Sequence, residues 1–213
     1  MFLKKTFLVA LTLVSSITAF SQLSISAKAG ANLSNINLDF SDSEIDSDWK
    51  PSFHAGLSFS LGSDNKFSFE SDLLYSRKGF VFNASETDEI IRGQFNYINL
   101  SPSAVLAISN GVSVHFGVQF GYMIDVYYKY TNGEFDGDKV NAEGIFDERF
   151  DFALTGGVNY RVSNIMDDKL SFALRYEYGV TPLAKMVFQD GSRENVGFHR
   201  NLQLSLKYDI FKR

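Results

Sequence analysis

The chain has 213 residues and a formal net charge of −5, and 15% of its residues are aromatic. It contains no cysteine, which excludes disulfides, thiolate metal sites and cysteine nucleophiles. The acidic balance argues against nucleic acid as the main partner, because binding to phosphates requires a basic surface.

Residues 1–21 have the pattern of an export signal. Two lysines precede an apolar run over residues 7–14, and Ala19 and Ser21 supply the small residues of a cleavage site. The apolar run is well short of the ~20 residues that a transmembrane helix needs. We therefore predict a cleaved signal peptide over residues 1–21, followed by one exported domain over residues 22–213.

After the signal, apolar and polar residues alternate, which is the pattern of β-strands whose two faces meet different surroundings. The clearest case is residues 112–130, where every even-numbered residue, including Val126 and Tyr128, is apolar or aromatic. We assign these residues to one face of a strand that would span roughly 60 Å at ~3.3 Å per residue. The alternation predicts eight strands, over residues 23–33, 53–61, 67–81, 98–106, 112–130, 150–162, 170–180 and 202–210.

The connections between these strands alternate in length. The short ones cover residues 62–66, 109–111 and 163–169, and the second contains an Asn-Gly hairpin signal. The long ones cover residues 39–48, 83–94, 131–149 and 181–197. Outer-membrane barrels have short periplasmic turns and long extracellular loops. We therefore predict an all-β fold, an eight-stranded antiparallel up-and-down transmembrane β-barrel whose two ends lie on the periplasmic side.

Alternation alone leaves open which face points outward. A secreted soluble barrel of the lipocalin type would turn its apolar face inward around a ligand, whereas a membrane barrel turns it toward lipid. Strand lengths that accommodate a tilted span of ~9–11 residues and tyrosines near strand ends favour the membrane barrel. The polar face then lines the lumen, and we predict that its charges form a structural network. The predicted members are Lys28, Glu70, Asp72, Arg161, Arg175, Glu177, Lys207 and Asp209.

The interior of an eight-stranded barrel is just wide enough for side chains to fill it. Buried charges without partners are costly, so we expect these groups to pair across the lumen. As a hypothesis, Arg161 and Arg175 anchor Glu70, Asp72 or Glu177. A narrow ion or proton path is the functional alternative to a purely structural network, and a diffusion pore is not expected.

Five segments carry a resemblance to a known family: SAKAGAN at residues 26–32, YINLSP at 97–102, FGVQFGYMI at 116–124, FDFALTGGVNY at 150–160 and LRYEYGV at 174–180. The chain resembles the PorT-like outer-membrane β-barrel proteins of Bacteroidetes. The resemblance implies an outer-membrane location, and some relatives support protein secretion or gliding machinery. It covers barrel-building patterns and no catalytic signature.

The last strand departs from the family pattern. Such barrels end on an aromatic residue in register with the lipid face, whereas here Ile210 holds that register and Phe211 has the opposite parity. This departure concerns the assembly signal and leaves the predicted fold unchanged.

Two long connections are acidic. Residues 39–48 contain five acids and no base, and residues 131–149 contain six acids against two bases. Neither matches the spacing of an EF-hand loop. We expect solvated loops, with divalent-cation binding as the alternative.

The three histidines, His54, His115 and His199, are the candidates for catalysis. A lipid A-modifying outer-membrane enzyme would use a histidine with a serine and an acid, but no serine stands in an H-x-S or G-x-S-x-G setting. We therefore predict a non-enzymatic protein with no cofactor and no catalytic or metal-binding residues. Its expected role is surface binding, structural, or accessory to an envelope secretion complex. The expected partners are outer-membrane lipids, lipopolysaccharide and envelope proteins, and no nucleic acid.

Overall fold

The fold is seen in a computed structural model that describes residues 23–40, 43–62, 66–84, 89–131, 139–141, 149–163, 166–187 and 193–212. The strands, in chain order, are β1 (Leu23–Phe40), β2 (Ser43–Asp46), β3 (Asp48–Leu61), β4 (Phe67–Ala84), β5 (Glu89–Ser109), β6 (Val112–Thr131), β7 (Lys139–Asn141), β8 (Phe150–Arg161), β9 (Leu170–Gly179), β10 (Ala184–Val187), β11 (Arg193–Val196) and β12 (Phe198–Lys212). A short 3-10 helix covers Met166–Asp168. Among the described residues, no helix combines the length and the apolar character needed to cross a bilayer.

Eight of these strands form a closed ring. Antiparallel pairing runs from β1 through β3, β4, β5, β6, β8 and β9 to β12, and β12 pairs back with β1. The predicted eight-stranded antiparallel up-and-down barrel is therefore confirmed. The two remaining pairings of the ring strands are extensions, because β2 prolongs the β1 edge and β7 prolongs the β6 edge.

The two rims of the barrel differ. The short connections β3–β4, β5–β6 and β8–β9 share one rim with the start of β1 and the end of β12. The predicted Asn-Gly turn joins β5 to β6, and Gly111 adopts a φ of 83°, a left-handed conformation that favours glycine. By the rule for outer-membrane barrels, this rim faces the periplasm and the long connections face the cell exterior. The predicted signal peptide and most of the acidic loop over residues 131–149 lie outside the described residues, as do residues 41 and 42 of the acidic loop over residues 39–48.

The wall of the barrel has an apolar outer surface. Phe67, Phe116 and Phe150 are about 70% exposed, at 71%, 69% and 72%. Exposed tyrosines flank this surface at both rims, Tyr122 and Tyr178 near the exterior and Tyr160 and Tyr208 near the periplasm. A continuous apolar surface of this extent is unfavourable in water but suits lipid, and aromatic girdles mark the interfaces. The soluble lipocalin-like alternative, with its apolar face inward, is therefore wrong.

The predicted lipid-facing side of β6 is also wrong at the extracellular end of this strand. Met123 pairs with Tyr97 but Asp125 pairs with Asn96, so Ile124 is an extra residue in a β-bulge. The bulge reverses the alternation. Val126 turns into the barrel, where it is 1% exposed, and Tyr128 packs beside it. The apolar/polar alternation of the sequence had assigned both residues to the lipid face.

A second irregularity in strand pairing gives the end of β12 an aromatic residue on the outer face. Ser26 pairs with Asp209 and Ile25 pairs with Phe211, so Ile210 is bypassed. The shift gives Phe211 the outward register of Ile25, and Phe211 is 47% exposed. The strand therefore ends with an aromatic residue on the lipid-facing side, which parity alone did not predict.

Candidate functional site

The centre of the barrel interior is built around one carboxylate. Asp72 on β4 accepts hydrogen bonds from the Lys28 ammonium on β1 and from Arg175 Nη2 on β9, each at 2.6 Å. All three side chains are 2% exposed or less. Arg175 Nε also donates to His115 Nε2 at 3.2 Å, so this group links four strands across the lumen.

A second group lies toward the periplasmic rim. Lys207 donates to Glu70 at 2.5 Å and to the Ser60 hydroxyl at 3.3 Å. The neighbouring Asp209 accepts from Ser26 at 2.6 Å, and Arg161 Nη2 lies 4.0 Å from its other oxygen. A cavity of about 150 Å³, lined by serines together with Glu70, Arg161 and Lys207, is located at this end of the barrel.

A third group lies toward the extracellular half. The Lys78 ammonium contacts Glu177 at 3.0 Å and Asp151 at 3.1 Å. Glu177 also accepts from the side-chain amides of Gln119 and Asn201. The sequence analysis missed Lys78 and Asp151. Alternation could have found both, because Lys78 has the parity of the inward residues of β4 and Asp151 has the parity opposite to Phe150.

The eight predicted network residues are thus divided among three groups. Arg175 contacts Asp72, as hypothesised, but Arg161 lies beside Asp209 and Glu177 is paired with Lys78. With Lys78 and Asp151 added, the set balances five basic groups against five acidic ones. The basic groups are Lys28, Lys78, Arg161, Arg175 and Lys207, and the acidic groups are Glu70, Asp72, Asp151, Glu177 and Asp209.

An apolar plug occupies the extracellular half of the interior. It consists of Ile36, Phe95, Tyr97, Met123, Val126 and Leu183, with Phe80 and Tyr128 packed against it. Gly197, with a φ of 80°, leads into β12 beside the plug, and a Cβ atom there would lie 3.2 Å from Ile36. The plug was not predicted. The β6 bulge turns Val126 inward, whereas Tyr97 and Met123 have inward parity without it.

The histidines are interior residues. His199 lies edge-on to the rings of Phe95 and Tyr97, and its Nε2 atom is 3.0 Å from the Tyr97 hydroxyl. His54 Nε2 lies 2.8 Å from the Ser205 hydroxyl and its Nδ1 atom lies 2.7 Å from Asn32 Oδ1. This is the order of contacts in a nucleophilic triad. However, the three side chains are 2% exposed or less, so a lipid substrate has no access to the serine.

The described part of the chain contains no group of three or more His, Asp and Glu side chains placed to hold a metal ion.

Residues 16–185 of the sequence match the family described as outer membrane protein beta-barrel domain. The chain belongs to this family. Membership and the apolar outer wall place this outer-membrane barrel protein in the bacterial outer membrane. No curated protein sequence matches the chain.

Solved structures of other outer-membrane proteins are similar to this barrel. Neisserial surface protein A aligns with a TM-score of 0.51 at 13% identity, over 87% of this chain and 97% of that one. Ail, the attachment invasion locus protein of Yersinia pestis, aligns with a TM-score of 0.47 at 16% identity, over 89% and 98%. OprG from Pseudomonas aeruginosa has a TM-score of 0.37 at 10% identity, over 87% and 95%. At these identities the likeness concerns the fold alone.

Proposed function

We propose that this protein is a non-enzymatic outer-membrane barrel that acts through its extracellular surface, in binding, in a structural role or as an accessory to an envelope secretion complex. The observation that carries the proposal is the filled interior. Lys28, Lys78 and Arg175 are fully buried in ion pairs, and Phe95 and Tyr97 fill the extracellular half. An interior packed in this way offers no route for a solute, so the outer wall and the rim are the surfaces left for recognition.

The absence of transport is tested by conductance. The purified, folded barrel is added to a planar lipid bilayer and the current is recorded over a range of voltages. We expect no conducting steps, because mutually paired charges and the apolar plug block the lumen. Stable ohmic steps with the wild-type protein would contradict the proposal and favour an ion path.

The enzymatic alternative rests on the Ser205, His54 and Asn32 contacts. A fluorophosphonate probe reacts with activated serines, and we expect it to leave Ser205 unlabelled because that residue is 2% exposed. Mass spectrometry of lipid A from cells with and without the protein gives a second readout. Labelling that disappears in Ser205→Ala, together with a changed lipid A mass, would establish the enzyme instead.

The accessory role is supported by the resemblance to the PorT-like proteins of Bacteroidetes. Two of the similar segments lie side by side on β5 and β6, and their inward residues meet in the lumen. Tyr97 pairs with Met123, Asn99 pairs with Gly121, and the Ser101 hydroxyl donates to Gln119 at 3.1 Å. The resemblance therefore includes interior residues that pack together as well as lipid-facing ones.

Affinity purification from cross-linked native membranes separates the accessory role from a stand-alone role. We expect secretion or gliding components to be recovered with the tagged barrel if the accessory role is correct. A second outer-membrane barrel carrying the same tag is the control for material retained by the membrane fraction. Recovery of no specific component would leave the stand-alone surface or structural role.

A further inference from the structure

Basic side chains collect on one side of the extracellular rim. They are Lys50 on β3, Arg77 on β4, Arg92 on β5 and Lys129 on β6, and we call them the basic rim patch. Arg92 and Lys129 are exposed and directly cross-strand from each other. Lys50 reaches over Gly79 to donate to the Gly93 carbonyl on β5 at 2.7 Å, which brings its charge within electrostatic range of Arg77 and Arg92.

The patch has an excess of positive charge. Arg77 Nε donates to the Asn96 carboxamide at 3.2 Å and Arg92 lies 3.5 Å from the Thr131 hydroxyl, so the described partners of both guanidinium groups are neutral. None of the four basic groups forms an ion pair with a carboxylate of the described residues. Three acids on the same strands toward this rim, Asp48, Glu89 and Asp125, reduce the four positive charges to a net +1. Like charges held together at a surface favour a multivalent anion.

The level of the patch on the wall indicates the source of that anion. Arg77 has the outward parity of Leu73 and Tyr75, and its guanidinium lies over the exposed Phe53 ring, 4.9 Å from the centroid. Phe53 and Tyr75 are 6.0 Å apart and belong to the aromatic surface that meets the lipid interface. A guanidinium directly above such an aromatic pair lies at the height of lipid head groups. The fork of an arginine also matches phosphate oxygens.

We propose that the basic rim patch binds the phosphate groups of lipopolysaccharide in the outer leaflet. Charge complementarity and the position above the aromatic surface select a lipid phosphate over an acidic protein. The inference rests on the outer-membrane location and not on the proposed surface function, so the two can fail separately.

The test compares two triple variants of the folded, detergent-solubilised barrel. Lys50→Gln, Arg77→Gln and Arg92→Gln are combined in one, and Lys66→Gln, Lys169→Gln and Lys212→Gln remove the same charge from the periplasmic rim in the control. Binding of purified lipopolysaccharide is followed by the fluorescence of Trp49, the single tryptophan, which adjoins the patch. We expect the rim variant to bind about tenfold more weakly and the control variant to bind like the wild type.

Further arms identify the group that is recognised. Enzymatic removal of the lipid A phosphates should weaken wild-type binding to the level of the rim variant, and added salt should weaken it because rim charges are screened. Arg77→Lys, which keeps the charge, should retain most of the binding. Equal binding by the rim variant, or by dephosphorylated lipopolysaccharide, would overturn the proposal. Full displacement by inorganic phosphate at the same concentration would identify a free-phosphate site and overturn the lipid assignment. Unchanged heat-modifiable gel migration verifies that each variant is folded.

Discussion

The two halves of the barrel interior stabilise one ring of strands by different physical means. Toward the periplasm and at mid-barrel, charges meet across the lumen, as between Lys28, Asp72 and Arg175 at 2.6 Å. Toward the exterior, apolar side chains such as Phe95 and Val126 pack against each other. The Lys78 ammonium, which lies 5.2 Å from the centre of the Tyr97 ring, marks the boundary between the halves.

The difference predicts different responses to substitution. A buried ion pair tolerates substitution poorly, because removal of one partner leaves an uncompensated charge out of water. An apolar cluster is more tolerant, because a side chain of similar volume can replace another at small cost. The charged half is therefore expected to determine which strands face each other, and the plug is expected to fill the space that remains.

Asp72→Asn is expected to have the largest effect. The substitution removes the negative charge that Lys28 and Arg175 share while the side chain keeps its size, and loss of one partner of a buried pair costs about 3–5 kcal/mol. Urea unfolding in detergent, followed by Trp49 fluorescence, gives the free energy of unfolding. Asp209→Asn makes the same chemical change beside the partly exposed Arg161 and is the matched control. Equal urea midpoints for the two variants would contradict the expectation that the buried ion pairs are more sensitive to substitution than the partly exposed ones.

The fold could be predicted from the sequence because every ring strand has two chemically different faces. The alternation of apolar and polar residues identifies these faces within each strand, without knowledge of its neighbours. The charge groups could be predicted only in part. Alternation indicates that Lys28, Asp72 and Arg175 point inward, but the stagger of the closed ring decides which of them meet. That stagger is a property of all eight strands together, so Glu177 pairing with Lys78 could not be derived from either strand alone.

The contribution of β6 residues beyond Ile124 to the apolar plug could not be predicted, for a different reason. A β-bulge adds one residue to one strand, and its position depends on pairing with the neighbouring strand. At Ile124 the bulge exchanges the faces of the residues from Asp125 to Lys129 on β6. The alternation therefore assigned Val126 and Tyr128 to the wrong face of β6, although it assigned the ten positions from Val112 to Gly121 correctly.

Met123→Ala is expected to destabilise the protein less than Asp72→Asn does. Truncation of a buried methionine leaves a cavity and costs about 2–3 kcal/mol, without stranding a charge. Ile124→Ala, the next residue along β6, is the control, because Ile124 is 36% exposed on the outer wall. Urea midpoints of both variants in the same detergent compare an inward residue with an outward one. A larger loss for Ile124→Ala would mean that the bulge is placed incorrectly.

Tyr97→Phe examines the boundary between the two halves. The ring remains in the plug, but the hydroxyl that lies 3.0 Å from His199 Nε2 is lost. A buried hydrogen-bonding atom left without its partner costs about 1–2 kcal/mol. The free energy of unfolding should fall by this amount, and in His199→Phe the same Tyr97→Phe change should have a smaller effect. Equal effects in the two backgrounds would show that the contact contributes nothing to stability.

Arg161→Gln is expected to have the smallest effect, although the residue belongs to the same predicted charge network as Arg175. Its guanidinium is 4.0 Å from Asp209 and its side chain is 34% exposed, so water can replace the interaction. Exposed pairs contribute about 0–1 kcal/mol and are weakened by salt. The unfolding midpoint of Arg161→Gln should therefore approach that of the wild type as the salt concentration rises, whereas Arg175→Gln should remain destabilised, since Asp72 and Arg175 are shielded from ions. An equally large loss of stability in Arg161→Gln and Arg175→Gln would contradict this expectation. Partly exposed ion pairs at the periplasmic rim would then be as sensitive to the loss of one partner as fully buried pairs are, and exposure would not explain the difference between charged groups.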